Sequence, residues 1–222
     1  MLRALPHPVA FLGLLAGFLV AIIAHAVAQA GVARSYGDRR AMREVRKPQR
    51  VVEPFGAVAA AIAGPGWGLT REAPFRGRGR GRQLAMLLAG PAAALVVGAA
   101  GIVGYLAAGG PQPLLGEVGL ADLLQNHITG PAAPLFGLSF GIEALAVGVL
   151  SLVPLPPLTG WRILMLFSGR SIGWQRAKEY LEDRNLGVVA LLVLLLIPLG
   201  VGGPLLLELV DWVVGLLLGV AA

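Results

Sequence analysis

The sequence predicts an all-α, polytopic transmembrane helical bundle, with about four to six membrane segments, one of them a short re-entrant or hairpin piece. Three observations carry this expectation. The 222 residues are 56% hydrophobic and only 14% charged, whereas soluble domains carry roughly 25% charged residues. The apolar residues lie in runs long enough to cross the ~30 Å hydrocarbon core. The cations, which give a net charge of +6, sit between those runs, as topology-setting loops do. Nothing in the pattern divides the chain, so residues 1–222 are expected to form a single membrane-embedded domain. With no cysteine, disulfides and thiolate metal sites are excluded.

The first apolar run, Pro8 to about Val32, is too long for a signal-peptide core and has only Arg3 before it, so it reads as a retained span. A basic stretch follows from Arg34 to Arg50, with Arg39, Arg40, Arg43, Arg46 and Lys47 against Asp38 and Glu44. Phe55 to Leu69 is apolar but broken at Gly64-Pro65-Gly66, too short for a comfortable span, and predicts the hairpin or re-entrant piece. Arg71 to Arg82 is basic again. A second span is expected from about Leu84 to Ala108 and a third from Pro131 to Val153. The loop between them, Gly109 to Gly130, contains Glu117 and Asp122 and no Lys or Arg. Thr159 to Arg184 is basic, and Leu186 to Ala222 is apolar, interrupted at Gly200–Pro204. One helix over that last run would be ~55 Å long, so two short helices or one kinked helix with an interfacial tail are expected.

The positive-inside rule places the three basic loops in the cytoplasm, with the cation-free loop outside, in what reads as a bacterial cytoplasmic membrane. The alternation Arg76-Gly77-Arg78-Gly79-Arg80-Gly81-Arg82 tests the case for nucleic acid. It is short, adjoins a span and has only Phe75 as an aromatic, so anionic membrane lipid is the expected partner and nucleic acid is not.

Two separated segments carry a family resemblance. The first is Ala24-His25-Ala26-Val27-Ala28-Gln29, followed by Gly37-Asp38; the second is Ser151-Leu152-Val153-Pro154-Leu155-Pro156-Pro157-Leu158-Thr159-Gly160-Trp161-Arg162. Between them lie Lys47-Pro48, Glu53-Pro54-Phe55-Gly56, Gly66-Trp67-Gly68 and Leu88-Ala89-Gly90-Pro91. In order and spacing these resemble the motifs of the site-2 protease family of intramembrane zinc metalloproteases. The resemblance covers most of the chain, about residues 20 to 200.

The resemblance implies a zinc held by two histidines one helical turn apart and a later aspartate, with a glutamate beside the first histidine as general base. This chain departs from that set. His25 stands at the first histidine, but Ala26 stands at the general base, Gln29 at the second histidine and Thr159 at the aspartate. Ser151 and Ala94 replace asparagines of the pattern. An imidazole, an amide and a hydroxyl are a weak set for Zn²⁺, and loss of general-base catalysis alone costs typically 10²–10⁴-fold. The expectation is a degenerate, pseudoprotease-like member with no cofactor and no peptidase activity, binding or regulating a transmembrane-protein partner or a substrate-like helix.

Other residues are weighed as replacements. Glu143, in mid-span, is costly there and therefore a functional candidate; a His25–Glu143 polar pair is one reading, and a protonated or backbone-bonded carboxyl is the other. His25 is otherwise expected to bond Gln29 at i+4. His7 is expected to be solvated, His127 to lie at the opposite face, and Glu208 with Asp211 to mark an interfacial helix. Pro154, Pro156, Pro157 and Gly160 form a turn that in the family presents an extended stretch near the substrate strand; alternatively they simply end a helix and leave the chain extended. Two further readings remain: a divergent active zinc metallopeptidase that recruits Glu143 or a ligand from a partner, and a small transporter or assembly factor in which the two motifs need not meet.

Overall fold

The computed structural model describes residues 1–47, 51–69, 79–111, 130–168, 171–198 and 204–219. The described residues are helical apart from turns and one isolated backbone bridge, Val52 to Gly68. Among the described residues nine α-helices follow in order: α1 (Pro8–Ser35), α2 (Ala41–Val45), α3 (Pro54–Ala63), α4 (Arg80–Ala107), α5 (Ala132–Leu150), α6 (Thr159–Phe167), α7 (Ile172–Lys178), α8 (Leu186–Leu196) and α9 (Leu205–Gly219). A π-helical turn, Glu179–Asp183, joins α7 toward α8. Pro48, Arg76, Arg78, Glu117, Asp122, His127, Arg170 and the break at 200–203 lie outside the described residues.

Among the described residues three helices, α1, α4 and α5, are long and apolar enough to cross a membrane. They match the three spans read from hydropathy, with α4 starting earlier, at Arg80, because helical hydrogen bonding continues past the apolar stretch into the basic loop. On α1 the large side chains Leu12, Leu19, Ile23 and Val27 point outward and are exposed. Its inward face carries Leu14, Phe18 and Ile22 together with the small residues Gly13, Gly17 and Ala21 and with His25. Lipid tails are as apolar as leucine, so contact between such helices comes from small residues that let backbones approach. A Cβ placed on Gly17 would lie 2.5 Å from the Phe140 carbonyl oxygen, so α1 and α5 touch backbone to backbone there.

The short apolar segment folds as a hairpin. Pro54 opens α3, and the Glu53 side chain caps it by accepting from the Gly56 amide. The chain then returns through Trp67 and closes on its start, with the Leu69 amide donating to the Val51 carbonyl at 2.9 Å. Trp67 is buried. The last apolar run is two short helices, α8 and α9, and α9 lays Leu206, Val210, Val214 and Leu218 inward along one stripe. Glu208 and Asp211 lie on α9, partly buried, in the helix form expected of them.

Candidate functional site

His25 and Gln29 are one turn apart on the inward face of α1 and both are buried. Thr159, 134 residues after His25, opens α6 and is fully buried. The three meet at one atom. His25 Nε2 lies 3.3 Å from Gln29 Nε2 and 3.2 Å from Thr159 Oγ1. The two motif segments are therefore packed together inside the bundle.

The orientation of the Gln29 amide follows from its other neighbour. Gln29 Nε2 donates to the Leu87 carbonyl oxygen of α4 at 3.3 Å. A carbonyl only accepts, so the amide nitrogen must face it, and the same nitrogen faces His25. His25 Nε2 is then an acceptor, which puts the imidazole proton on Nδ1. Thr159, facing the same lone pair, donates its hydroxyl toward it. The Gln29 amide thus donates to both the Leu87 carbonyl and His25 Nε2, and Nε2 also accepts from the Thr159 hydroxyl.

Leu87 offers a free carbonyl because of Pro91. Pro91 lies inside α4 and has no N–H for the carbonyl four residues earlier, which is that of Leu87. The Gln29 side chain supplies the missing donor. The sequence held this signal in Leu88-Ala89-Gly90-Pro91, but it marks only a carbonyl in want of a donor and not which side chain provides one. Gly90 completes the wall. A Cβ there would lie 1.8 Å from His25 Cδ2 and 2.1 Å from Nε2, so only glycine lets α4 close onto the imidazole.

The proline-rich segment is not extended. It is a run of turns, with the Val153 amide donating to Leu150 and the Leu158 amide to Leu155, at 3.0 and 2.9 Å. The Gly160 amide donates to the Ser151 carbonyl at 2.8 Å and closes the segment. A Cβ on Gly160 would lie 2.0 Å from the Leu152 carbonyl oxygen. Pro154, Pro156 and Pro157 thus sit in a compact turn rather than a strand-like stretch, because local carbonyls take the available amides. Pro156 also packs against Gly187 at the start of α8. Glu182 fastens α6 from outside, accepting from Trp161 Nε1 at 3.2 Å and pairing with Arg162 at 3.1 Å.

Glu143 is not brought to His25. It is fully buried on α5, and its Cβ lies 3.1 Å from where a Cβ on Gly17 would stand. Gly17 is about 12 Å along α1 from His25. Both Glu143 carboxylate oxygens lack a hydrogen-bond partner. Ala26 is buried in the core. His7 precedes α1 at its cap position and is half-buried.

As a ligand set for a divalent cation, the three convergent groups fit poorly. Gln29 turns an amide nitrogen inward, which has no lone pair to give, and the other two groups are a neutral imidazole and a hydroxyl. Among the described residues, no three His, Cys, Asp or Glu side chains gather where they could hold a metal ion.

The fold and site define an all-helical chain with membrane-length helices and two distant motif segments folded around one buried polar point. Compared with known proteins, it is similar to a protein of Bacillus subtilis (strain 168) named "Putative zinc metalloprotease YwhC", 28% identical over 191 residues, covering 82% of this chain and 79% of that protein. That similarity supports the metalloprotease-like resemblance of the motifs and an integral membrane protein. No family model matches the chain, and no solved structure matches it.

Proposed function

We propose that this chain is a non-catalytic relative of the site-2 metalloproteases. It would bind a transmembrane segment of a partner protein, and regulate or hold it, without zinc and without peptide cleavage. The basic loops would face the cytoplasm of a bacterial cell. One observation carries the reading: the atom that would grip a metal, His25 Nε2, accepts from Gln29, whose amide also serves the carbonyl left open by Pro91. The polar groups at this point satisfy one another, which is what a scaffold needs and a metal site does not. General-base chemistry also has no carboxylate here, since Ala26 stands beside His25.

The test is to purify the full chain in detergent and count bound zinc. The reading expects far less than one zinc per chain, unchanged by a chelator wash. Stoichiometric zinc that survives washing would overturn it. A second reading, a divergent metallopeptidase recruiting Glu143, draws on the two unpartnered carboxylate oxygens. It requires that both chelation and Glu143→Gln stop cleavage of a membrane substrate; proteolysis indifferent to both removes it.

A further inference from the structure

The end of α1 holds a second site, unrelated to the histidine. The helix stops at Ser35, and Gly37, at φ 99°, turns the chain back. Its amide donates to the Arg34 carbonyl at 2.9 Å, and the Asp38 amide donates to Ala33 at 3.0 Å. The positive φ is one that side chains with a Cβ rarely adopt. The reversal lets α2 lie back on α1, with Ala41 buried against Ala30 and Ala33. Met86 and Leu87 of α4 complete that buried cluster, with the half-buried Met42 and Val45 packed against it.

The result is a cavity of about 530 Å³ whose wall carries Arg34, Arg39, Arg43 and Arg46. The volume is that of a small-molecule site. Among the described residues, no carboxylate lines it and no ion pair engages any of these four guanidiniums. Asp38 accepts the Arg40 amide at 3.0 Å and does not line the wall. The carbonyl end of α1 contributes roughly half a negative charge, against four positive ones. Four unpaired like charges around one concavity repel each other, and an anion entering it relieves that.

We propose that this cavity binds the phosphate of an anionic phospholipid headgroup, of the phosphatidylglycerol type. Guanidinium matches phosphate with paired N–H donors, which makes arginine rather than lysine the fitting residue. The lipid source follows from position. Arg34 stands in the last turn of a span-length helix, at the depth where headgroups lie. A free phosphate compound has the same chemistry and is separated by the test. The proposal rests on the membrane-spanning reading but not on the absence of zinc, so a zinc count leaves it untouched.

The experiment titrates the detergent-purified full chain with phosphatidylglycerol, phosphatidylcholine or inorganic phosphate and counts bound lipid by native mass spectrometry. Each juxtamembrane arginine gives about a fivefold change in binding to anionic lipid. Arg39→Gln with Arg43→Gln is therefore expected to weaken phosphatidylglycerol binding about 25-fold, with unchanged thermal unfolding in lipid-free detergent. Arg176→Gln with Lys178→Gln, which removes the same charge from exposed positions on α7, is expected to change it less than about twofold, since neither side chain lines the cavity. Phosphatidylcholine should not compete. Equal losses in the two variants would overturn the proposal, as would equal binding of the two lipids. Saturation by inorganic phosphate without any phosphatidylglycerol binding would overturn the lipid assignment.

Discussion

Two levels of α1, eight residues apart, face the interior with opposite outcomes. At His25 the contacts to Gln29, Thr159 and, through Gln29, Leu87 each bring a donor to an acceptor across three helices. At Gly17 the neighbour is Glu143, buried with neither oxygen bonded. The nearby hairpin adds Trp67, whose indole N–H also lacks a partner. A level whose polar groups are mutually satisfied holds the fold together. A level with a buried, unpaired carboxyl weakens the fold unless something else meets it. On the proposed reading, the level that resembles an active site serves to hold the helices together, and the unsatisfied carboxyl lies two turns away.

The sharpest way to break this contrast is Gly90→Ala. Its new Cβ would occupy the space of the imidazole edge, and overpacking of this kind costs roughly 1–3 kcal/mol or more. Thermal unfolding in detergent should fall accordingly, and an unchanged midpoint would mean that α4 does not clamp His25. Gln29→Leu comes next. It strands the Leu87 carbonyl and leaves His25 Nε2 with Thr159 alone, at about 1–3 kcal/mol. Gln29→Glu would not rescue it, since the carboxylate brings no donor for Leu87. At the other level, Glu143→Leu should cost nothing or stabilise by about 1 kcal/mol, because a buried polar group without partners is replaced by an apolar one. A loss there as large as that of Gln29→Leu would show that Glu143 has a structural partner and would erase the contrast.

Much of the architecture was legible in the sequence because hydropathy alone reports it. The run from Pro8, the run ending at Ala108 and the hairpin around Gly64-Pro65-Gly66 all have their helical or turning counterparts. The pairing of Gln29 with His25 was also legible, since i and i+4 share a helix face. The depth of Glu143 was not. It depends on how α5 slides against α1, which is set by backbone contact at Gly13 and Gly17 with Phe136 and Phe140, and no periodicity encodes that register. The bond from Gln29 to Leu87 was hidden for a related reason: Pro91 announces an open carbonyl, but only the crossing of α1 and α4 decides who fills it. The proline-rich turn misled because proline favours extended neighbours locally, while Gly160 and Ser151 close the loop through a contact nine residues apart.

On the proposed reading, a metal-site geometry survives here without groups able to hold the ion. The most direct measurement is the zinc content of the purified triple variant Ala26→Glu, Gln29→His, Thr159→Asp beside that of the parent chain. The account predicts about one tightly held zinc per folded variant chain, with tetrahedral nitrogen and oxygen ligation in X-ray absorption, and none in the parent. A variant that folds like the parent yet takes up no zinc would contradict it.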